Sequence, residues 1–216
     1  MASNSTSRVR RSIAPNQAPW MRKTTDHRKV CLVIPPSEFL LDDRVFPSLG
    51  VLKIAAVLEK AGHAVEVLDL SGIGNFLDVI GHAVSETNYD AVGITVTTPQ
   101  LPSVFKIRDR ICELRPNLKL ILGGAHIALA YAGRVQELKA KRIGGRASRA
   151  VRKLEENFDV LCAGDGEVAI FAALRDDAPK YIDGDDHKSE LFLTDELYEV
   201  TPPPARHLID LTTYKY

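Results

Sequence analysis

Leu49-Gly-Val-Leu-Lys-Ile-Ala-Ala-Val-Leu-Glu-Lys-Ala-Gly62, followed at once by Val65-Glu-Val-Leu-Asp-Leu70, decides the fold class of this chain. Leu52, Ala55, Ala56 and Leu58 recur at helix spacing, and Gly62 is the residue type that most often closes a helix. Ser48, just ahead, is a candidate N-cap. Before the helix, Val30-Cys-Leu-Val-Ile34 is a short apolar run stopped by Pro35-Pro36, which reads as a buried strand with a non-helical exit. Strand, helix and strand at this spacing imply parallel pairing through a right-handed crossover.

The same alternation continues outward. Phe76 to Glu86 reads as a second helix and Ala91-Val-Gly-Ile-Thr-Val96 as a third strand. Leu101 to Leu114 carries Val104, Ile107, Ile111 and Leu114 on one helical face and is stopped by Pro116. Leu118-Lys-Leu-Ile-Leu122 and Phe158-Asp-Val-Leu-Cys162 are the fourth and fifth strands, and a short helix from Glu167 to Leu174 follows. Five such units can bury both faces of one sheet. Between the last two strands the connection is long: Ala125 to Tyr131 starts one helix, and Lys139 to Glu156 reads as a basic-faced helix interrupted by Gly144-Gly145. Each glycine inside a helix costs about 1 kcal/mol, so a break is expected there.

The ends differ in texture. Residues 1–28, rich in Ser, Arg and Asn with no acid before Asp26, read as a disordered arm, because no amphipathic helix accompanies the transit-like composition. Residues 29–177 form the α/β domain. Residues 178–216 read as an extended strap or linker: Tyr181 to Glu190 is acidic and turn-rich, Leu191-Phe-Leu193 is a candidate small strand, and Thr201-Pro-Pro-Pro204 is stiff. Leu208 to Leu211 and Tyr214 to Tyr216 are apolar for a tail, which predicts docking against a partner or further domain.

Composition narrows the function. The 216 residues are 45% hydrophobic and 26% charged, with formal net charge zero. This fits one α/β core and gives no global field to attract nucleic acid or an anionic membrane. No apolar run approaches the roughly 20 residues needed to span a bilayer. Cys31, Cys112 and Cys162 are single and widely spaced, so they build neither a disulfide framework nor a paired-cysteine metal motif. A cytoplasmic location is expected.

Polar breaks follow the strands. Thr95-Val-Thr-Thr98, Gly123-Gly-Ala-His126 and Gly164-Asp-Gly-Glu167 should gather along the carboxyl edge of one sheet, where open α/β folds bind ligands. Paired glycines there serve either a close-approaching ligand or a tight turn, and the threonine hydroxyls either a ligand or a helix cap. Gly164-Asp-Gly-Glu167 has no Lys and makes no P-loop, and Pro35-Pro36 stands where a dinucleotide fingerprint would begin. His63, His82, His126 and His207 lack the partners of a metal centre or a catalytic triad.

Together, Phe46-Pro-Ser-Leu-Gly-Val-Leu52, Asp90-Ala-Val-Gly-Ile-Thr-Val-Thr-Thr-Pro99, Ile121-Leu-Gly-Gly-Ala-His126 and Phe158-Asp-Val-Leu-Cys-Ala-Gly-Asp-Gly-Glu167 resemble the N-terminal cobalamin-binding domain of B12-dependent radical S-adenosylmethionine enzymes. Pro204-Ala-Arg-His-Leu-Ile209 looks like the bridge to the radical domain of such enzymes. The resemblance implies a flavodoxin-like, three-layer fold with a five-stranded parallel sheet of order 2-1-3-4-5. The corrin ring would lie on the carboxyl ends of the strands, with the nucleotide tail beside the sheet. It places cofactor contacts at Ser48, Leu49, Gly50, Thr95, Val96, Thr97, Thr98, Gly123, Gly124, Ala125, His126, Gly164, Asp165, Gly166 and Glu167. Thr95 and Thr97 stand where related modules carry Ser-x-Leu. Where relatives carry Asp-x-His-x-x-Gly, Gly50 matches the last position and Val45 and Pro47 replace the Asp and His. Base-off cobalamin without a protein histidine ligand is therefore implied.

The Cys-x-x-x-Cys-x-x-Cys motif that holds the iron–sulfur cluster of the radical domain does not occur here, so no such cluster is expected in this chain. A radical S-adenosylmethionine domain, in cis or as a separate subunit, is the implied partner, with neither nucleic acid nor membrane. The chain alone is not expected to be catalytic. Two other readings stand beside this one: a cofactor-free structural or interaction domain of the same fold, and a small α/β enzyme or sugar-nucleotide binder using Asp165, Glu167 and His126.

Overall fold

Six parallel strands order the molecule: β1 (Lys29–Ile34), β2 (Ala64–Asp69), β3 (Ala91–Thr95), β4 (Lys119–Gly123), β5 (Val160–Ala163) and β6 (Tyr181–Asp183). They form one sheet in the order β2-β1-β3-β4-β5-β6. The helices are α1 (Leu49–Ala61), α2 (Phe76–Glu86), α3 (Leu101–Leu114), α4 (Ala125–Lys139), α5 (Arg146–Asn157), α6 (Gly166–Leu174) and the short α7 (Asp195–Glu199). This is the flavodoxin-like arrangement, seen in a computed structural model that describes residues 13–40 and 43–215. No helix among these residues is long and apolar enough to cross a membrane.

The layers follow from strand alternation. Val30, Leu32 and Ile34 face α1 and α6, whereas Cys31 and Val33 face the core built with α2, α3, α4 and α5. Burying a side chain such as Leu52 or Ile107 contributes about 1.5–3 kcal/mol, so each face supplies a substantial core. Gly62 ends α1 in the left-handed region at φ 98°, its N–H bonded to the Glu59 and Leu58 carbonyls. Pro102 opens α3, and the loop at 140–145 separates α4 from α5 where the paired glycines interrupt the pattern.

Among the described residues the sheet has six strands, not the expected five. β6 falls inside the acidic, turn-rich stretch, and only Ile182 of its three residues is fully buried, so no apolar run announces it. Leu191-Phe-Leu193 is not a strand; Leu193 instead packs into the α1–α6 core. The core continues past residue 177 through Ile182, Leu193, Leu197 and Ala205. This C-terminal strap crosses α1, where the Ala205 N–H donates to the Leu52 carbonyl at 3.0 Å and Lys53 reaches the Pro202 carbonyl at 3.2 Å.

The segment before β1 is described only from Ile13 onward. Residues 1–12 lie outside the described residues, but Pro15–Gln17 and Pro19–Met21 form two short 3-10 turns, and Trp20 is 1% exposed in the α1–α6 core. Its indole Nε1 donates to the Val200 carbonyl at 3.2 Å, tying the N-terminal segment to the strap.

Candidate functional site

A groove opens at the carboxyl edge of the sheet, between the sheet and the helix pair α1 and α6. Leu32, Gly93, Thr95, Ile121, Gly123 and Cys162 form its floor, one strand after another. Its walls are Ser48, Gly50, Val51 and Ile54 on α1 and the segment Gly164 to Glu167 with Ile170 on α6. The groove encloses a cavity of about 220 Å³ that opens to solvent at its mouth. It sits beside the topological switch between β1 and β3, where connections diverge and ligands bind in open α/β sheets.

Small residues make this space. In register, Gly93 pairs with Leu32 and Ile121, and Gly123 with Thr95 and Cys162. All belong to the face toward α1; at Gly93 a Cβ would lie 2.9 Å from Leu32 Cδ2, so that side chain already covers the glycine, whereas Gly123 leaves a gap where a side chain would stand. A Cβ at Gly123 would meet nothing nearer than Cys162 at 3.8 Å, and one at Gly50 would meet nothing within 4 Å. Gly124 has another function: its φ is 109°, and a Cβ would lie 2.8 Å from both N and O of Val96. Gly164, Gly166 and Gly184 likewise serve close packing. Cβ atoms there would collide with Asp185, with Ile54 at 2.5 Å and with the Asp165 carbonyl at 2.5 Å.

The polar groups are few. Thr95 lines the floor, and its hydroxyl has no hydrogen-bond partner among the described residues. Ser48 occupies the N-cap position of α1 but makes no side-chain cap, so its hydroxyl is left to the groove wall. Burial pushes the Asp165 carboxyl up, with Asp185 adding repulsion. Burial likewise raises Glu167, while the backbone N–H groups of Glu167 and Gly166 pull the other way. Burial pushes the Cys162 thiol up to about 12, so it lines the floor as an uncharged apolar group.

Of the residues expected at the site, the groove gathers Ser48, Gly50, Thr95, Gly123, Gly124, Gly164, Asp165, Gly166 and Glu167. Leu49 is exposed beside them, whereas Val96 is buried in the opposite core. Thr97, Thr98, Ala125 and His126 do not line the groove. Thr97 and Gln100 cap the turn before α3, and Gln100 also donates to the Pro35 carbonyl at 2.8 Å. Thr98 Oγ1 meets His126 Nδ1 at 2.9 Å, and burial lowers the pKa of that imidazole. Sequence reasoning missed Gly93, which a glycine in mid-strand signals, and the apolar lining Leu32, Ile54, Ile121 and Ile170, which nothing distinguishes from core.

Among the described residues no three His, Cys, Asp or Glu side chains come together to hold a metal ion. The sequence profile of the B12 binding domain matches residues 43–155, just over half of the chain.

This chain belongs to the B12-binding domain family.

Among solved structures, it is similar to TsrM, a radical S-adenosylmethionine methyltransferase from Kitasatospora setae, in the form with cobalamin and a 4Fe-4S cluster bound. That match has 23% identity over 48% of this chain and 19% of the other, with a TM-score of 0.39. It is also similar to OxsB, a cobalamin-dependent S-adenosylmethionine radical enzyme with aqua-cobalamin and S-adenosylmethionine bound. There identity is 15% over 69% of this chain and 18% of the other, with a TM-score of 0.48. The chain thus matches about a fifth of the length of these structures. No curated protein matches it.

Proposed function

We propose that this chain is a cobalamin-binding module that takes the nucleotide tail of the cofactor in the groove and presents the corrin ring, lying across the carboxyl ends of the strands, to a radical S-adenosylmethionine domain or subunit. The observation that carries this reading is the glycine floor. Gly123 leaves a gap in the sheet and Gly50 is open on the facing helix, while Gly93 lets the Leu32 side chain lie flat across the floor, in a chain of the B12-binding family. A flat heteroaromatic ring needs van der Waals contact over both faces, and side chains at these positions would occupy that space.

The remaining lining suits the same group. The Thr95 hydroxyl can bond a ring nitrogen or ribose oxygen, and Leu32, Ile54, Ile121 and Ile170 exclude water from an aromatic base. α1 starts at the rim without a side-chain cap, so its first-turn N–H groups and dipole favour the phosphodiester of the tail. With its tail in the groove the cobalamin would be base-off, and no protein imidazole would replace the base, since no histidine among the described residues lines the groove and Val45 and Pro47 stand where a ligand motif would place Asp and His. When bound, the corrinoid supplies the cobalt chemistry, and the chain supplies placement and exclusion of water.

An enzyme reading built on Asp165, Glu167 and His126 has less support, because His126 is tied to Thr98 and is not among the groove-lining residues. A cofactor-free domain of the same fold makes the opposite prediction about retention. The test is to mix the purified chain with hydroxocobalamin or methylcobalamin, remove free ligand by gel filtration and read the visible spectrum. Corrinoid eluting with the protein is expected. A folded protein that retains neither form would overturn the proposal for this chain.

A further inference from the structure

The α4–α5 hairpin and the strap carry opposite charges on opposite faces of the sheet. Ile127, Ala130, Val151 and Leu154 root the hairpin in the α2–α3 core, whereas Leu193, Leu197 and Ala205 root the strap in the α1–α6 core. Around the hairpin tip Lys139, Lys141, Arg142, Arg146, Arg149 and Arg152 are exposed, and none forms a salt bridge among the described residues.

Two of the hairpin's three carboxylates are already engaged, and the third, Glu156, lies at the far end of α5 from the tip. Glu137 accepts from the Ala147 and Ser148 N–H groups at 2.8 Å each, capping α5, and Glu155 accepts from Tyr131 at 2.7 Å and Arg134 at 2.9 Å. On the strap, Glu190, Asp195, Glu196 and Glu199 are exposed and equally without salt bridges among the described residues. Apolar groups accompany both patches: Leu138 is 62% and Ile143 102% exposed beside the bases, and Tyr198 is 56% exposed among the acids.

We propose that a second copy of this chain brings the two patches together: the basic hairpin of one molecule docks on the acidic strap of the next, with Leu138 and Ile143 against Tyr198. The sheet separates the patches within one molecule, so they meet only between molecules, and a net charge of zero leaves no global repulsion between copies. Patches on opposite faces give a head-to-tail contact rather than a two-fold one, and assembly therefore lengthens with concentration. Nucleic acid or an anionic membrane would satisfy the bases but repel the carboxylates. The inference is independent of cofactor binding, since neither patch lines the groove.

Sedimentation velocity of the purified full chain tests this at about 0.1 M and about 1 M salt, between which the Debye length falls from about 10 Å to about 3 Å. The average mass should rise with concentration at low salt and fall back toward the monomer at high salt. Arg142→Glu/Arg149→Glu and, separately, Glu196→Arg/Glu199→Arg should each weaken self-association at least about tenfold. Mixing the two variants should restore it, because each then offers the charge the other lacks. Circular dichroism melts check that the variants remain folded. A monomer at every concentration in low salt would overturn the proposal, as would association indifferent to these reversals. Binding to RNA or anionic vesicles without self-association would also overturn it.

Discussion

Gly123→Val and Gly124→Val, one residue apart, should fail in different ways. At Gly123 the new Cβ meets Cys162 at 3.8 Å, an ordinary contact, in a strand position paired with Thr95 and Cys162. Replacing a strand glycine by a β-branched residue is worth up to about 1 kcal/mol, so the fold should keep or slightly gain stability. The two methyls would instead stand in the groove floor. Overpacking a filled site costs about 1–3 kcal/mol, which is about a fivefold to 150-fold loss of cobalamin affinity. At Gly124 the Cβ would lie 2.8 Å from Val96 N and O. That backbone is fixed by Val96 N–H donating to the Gly123 carbonyl at 2.8 Å and by the His126 N–H donating to the Val96 carbonyl at 3.1 Å. With φ at 109° as well, the strain alone is about 1–3 kcal/mol, or several degrees of melting temperature at about 2–4 °C per kcal/mol. Melting by circular dichroism and titration with hydroxocobalamin separate the two effects. A Gly123→Val protein that binds like the parent would refute the groove as the site, and one that melts as early as Gly124→Val would refute the packing argument.

Gly50→Ala, in the first turn of α1 with nothing within 4 Å of the added Cβ, should raise stability by up to about 1 kcal/mol in urea titrations while weakening cobalamin binding. Glu167→Gln should be more stable than the parent at pH 7. Burial holds the folded carboxyl above its ordinary range, so the parent loses stability as pH rises from the unfolded pKa near about 4.3 through the folded value. The gap should close below about pH 4, and urea titrations across that range check it. Trp20→Ala removes the chain's one tryptophan from a site where it is 1% exposed and its ring lies 6.4 Å from that of Phe171. It should cost about 3–5 kcal/mol in urea unfolding followed by circular dichroism, whereas a loss near zero would show the N-terminal segment to be dispensable.

Sequence patterns reveal elements that are long or sharply punctuated. Phe76–Glu86 and Leu101–Leu114 appear at their full extent because apolar periodicity and Pro116 bound them. β6 is invisible because three residues at a sheet edge need only Ile182 buried, and turn-rich acids surround it. Trp20 is missed because its burial depends on α1 and Phe171, contacts far away along the chain. At the site, glycines and short hydroxyls after strands point to the correct edge, but their separate functions do not show in one dimension. Gly123 and Gly124 are identical letters, yet one leaves space and the other permits a backbone turn. Thr95 and Thr98 are equally plausible on paper, and only strand register puts the first on the groove floor while the second meets His126.

Comparing cobalamin with cobinamide, the corrinoid that lacks the nucleotide tail, tests the claim that the glycine-floored groove holds that tail. Calorimetric or spectral titration of the purified chain should give cobalamin at least about a tenfold tighter Kd, the consequence of about 1.4 kcal/mol or more of contact with the tail. Equal affinity for the two corrinoids would contradict the account.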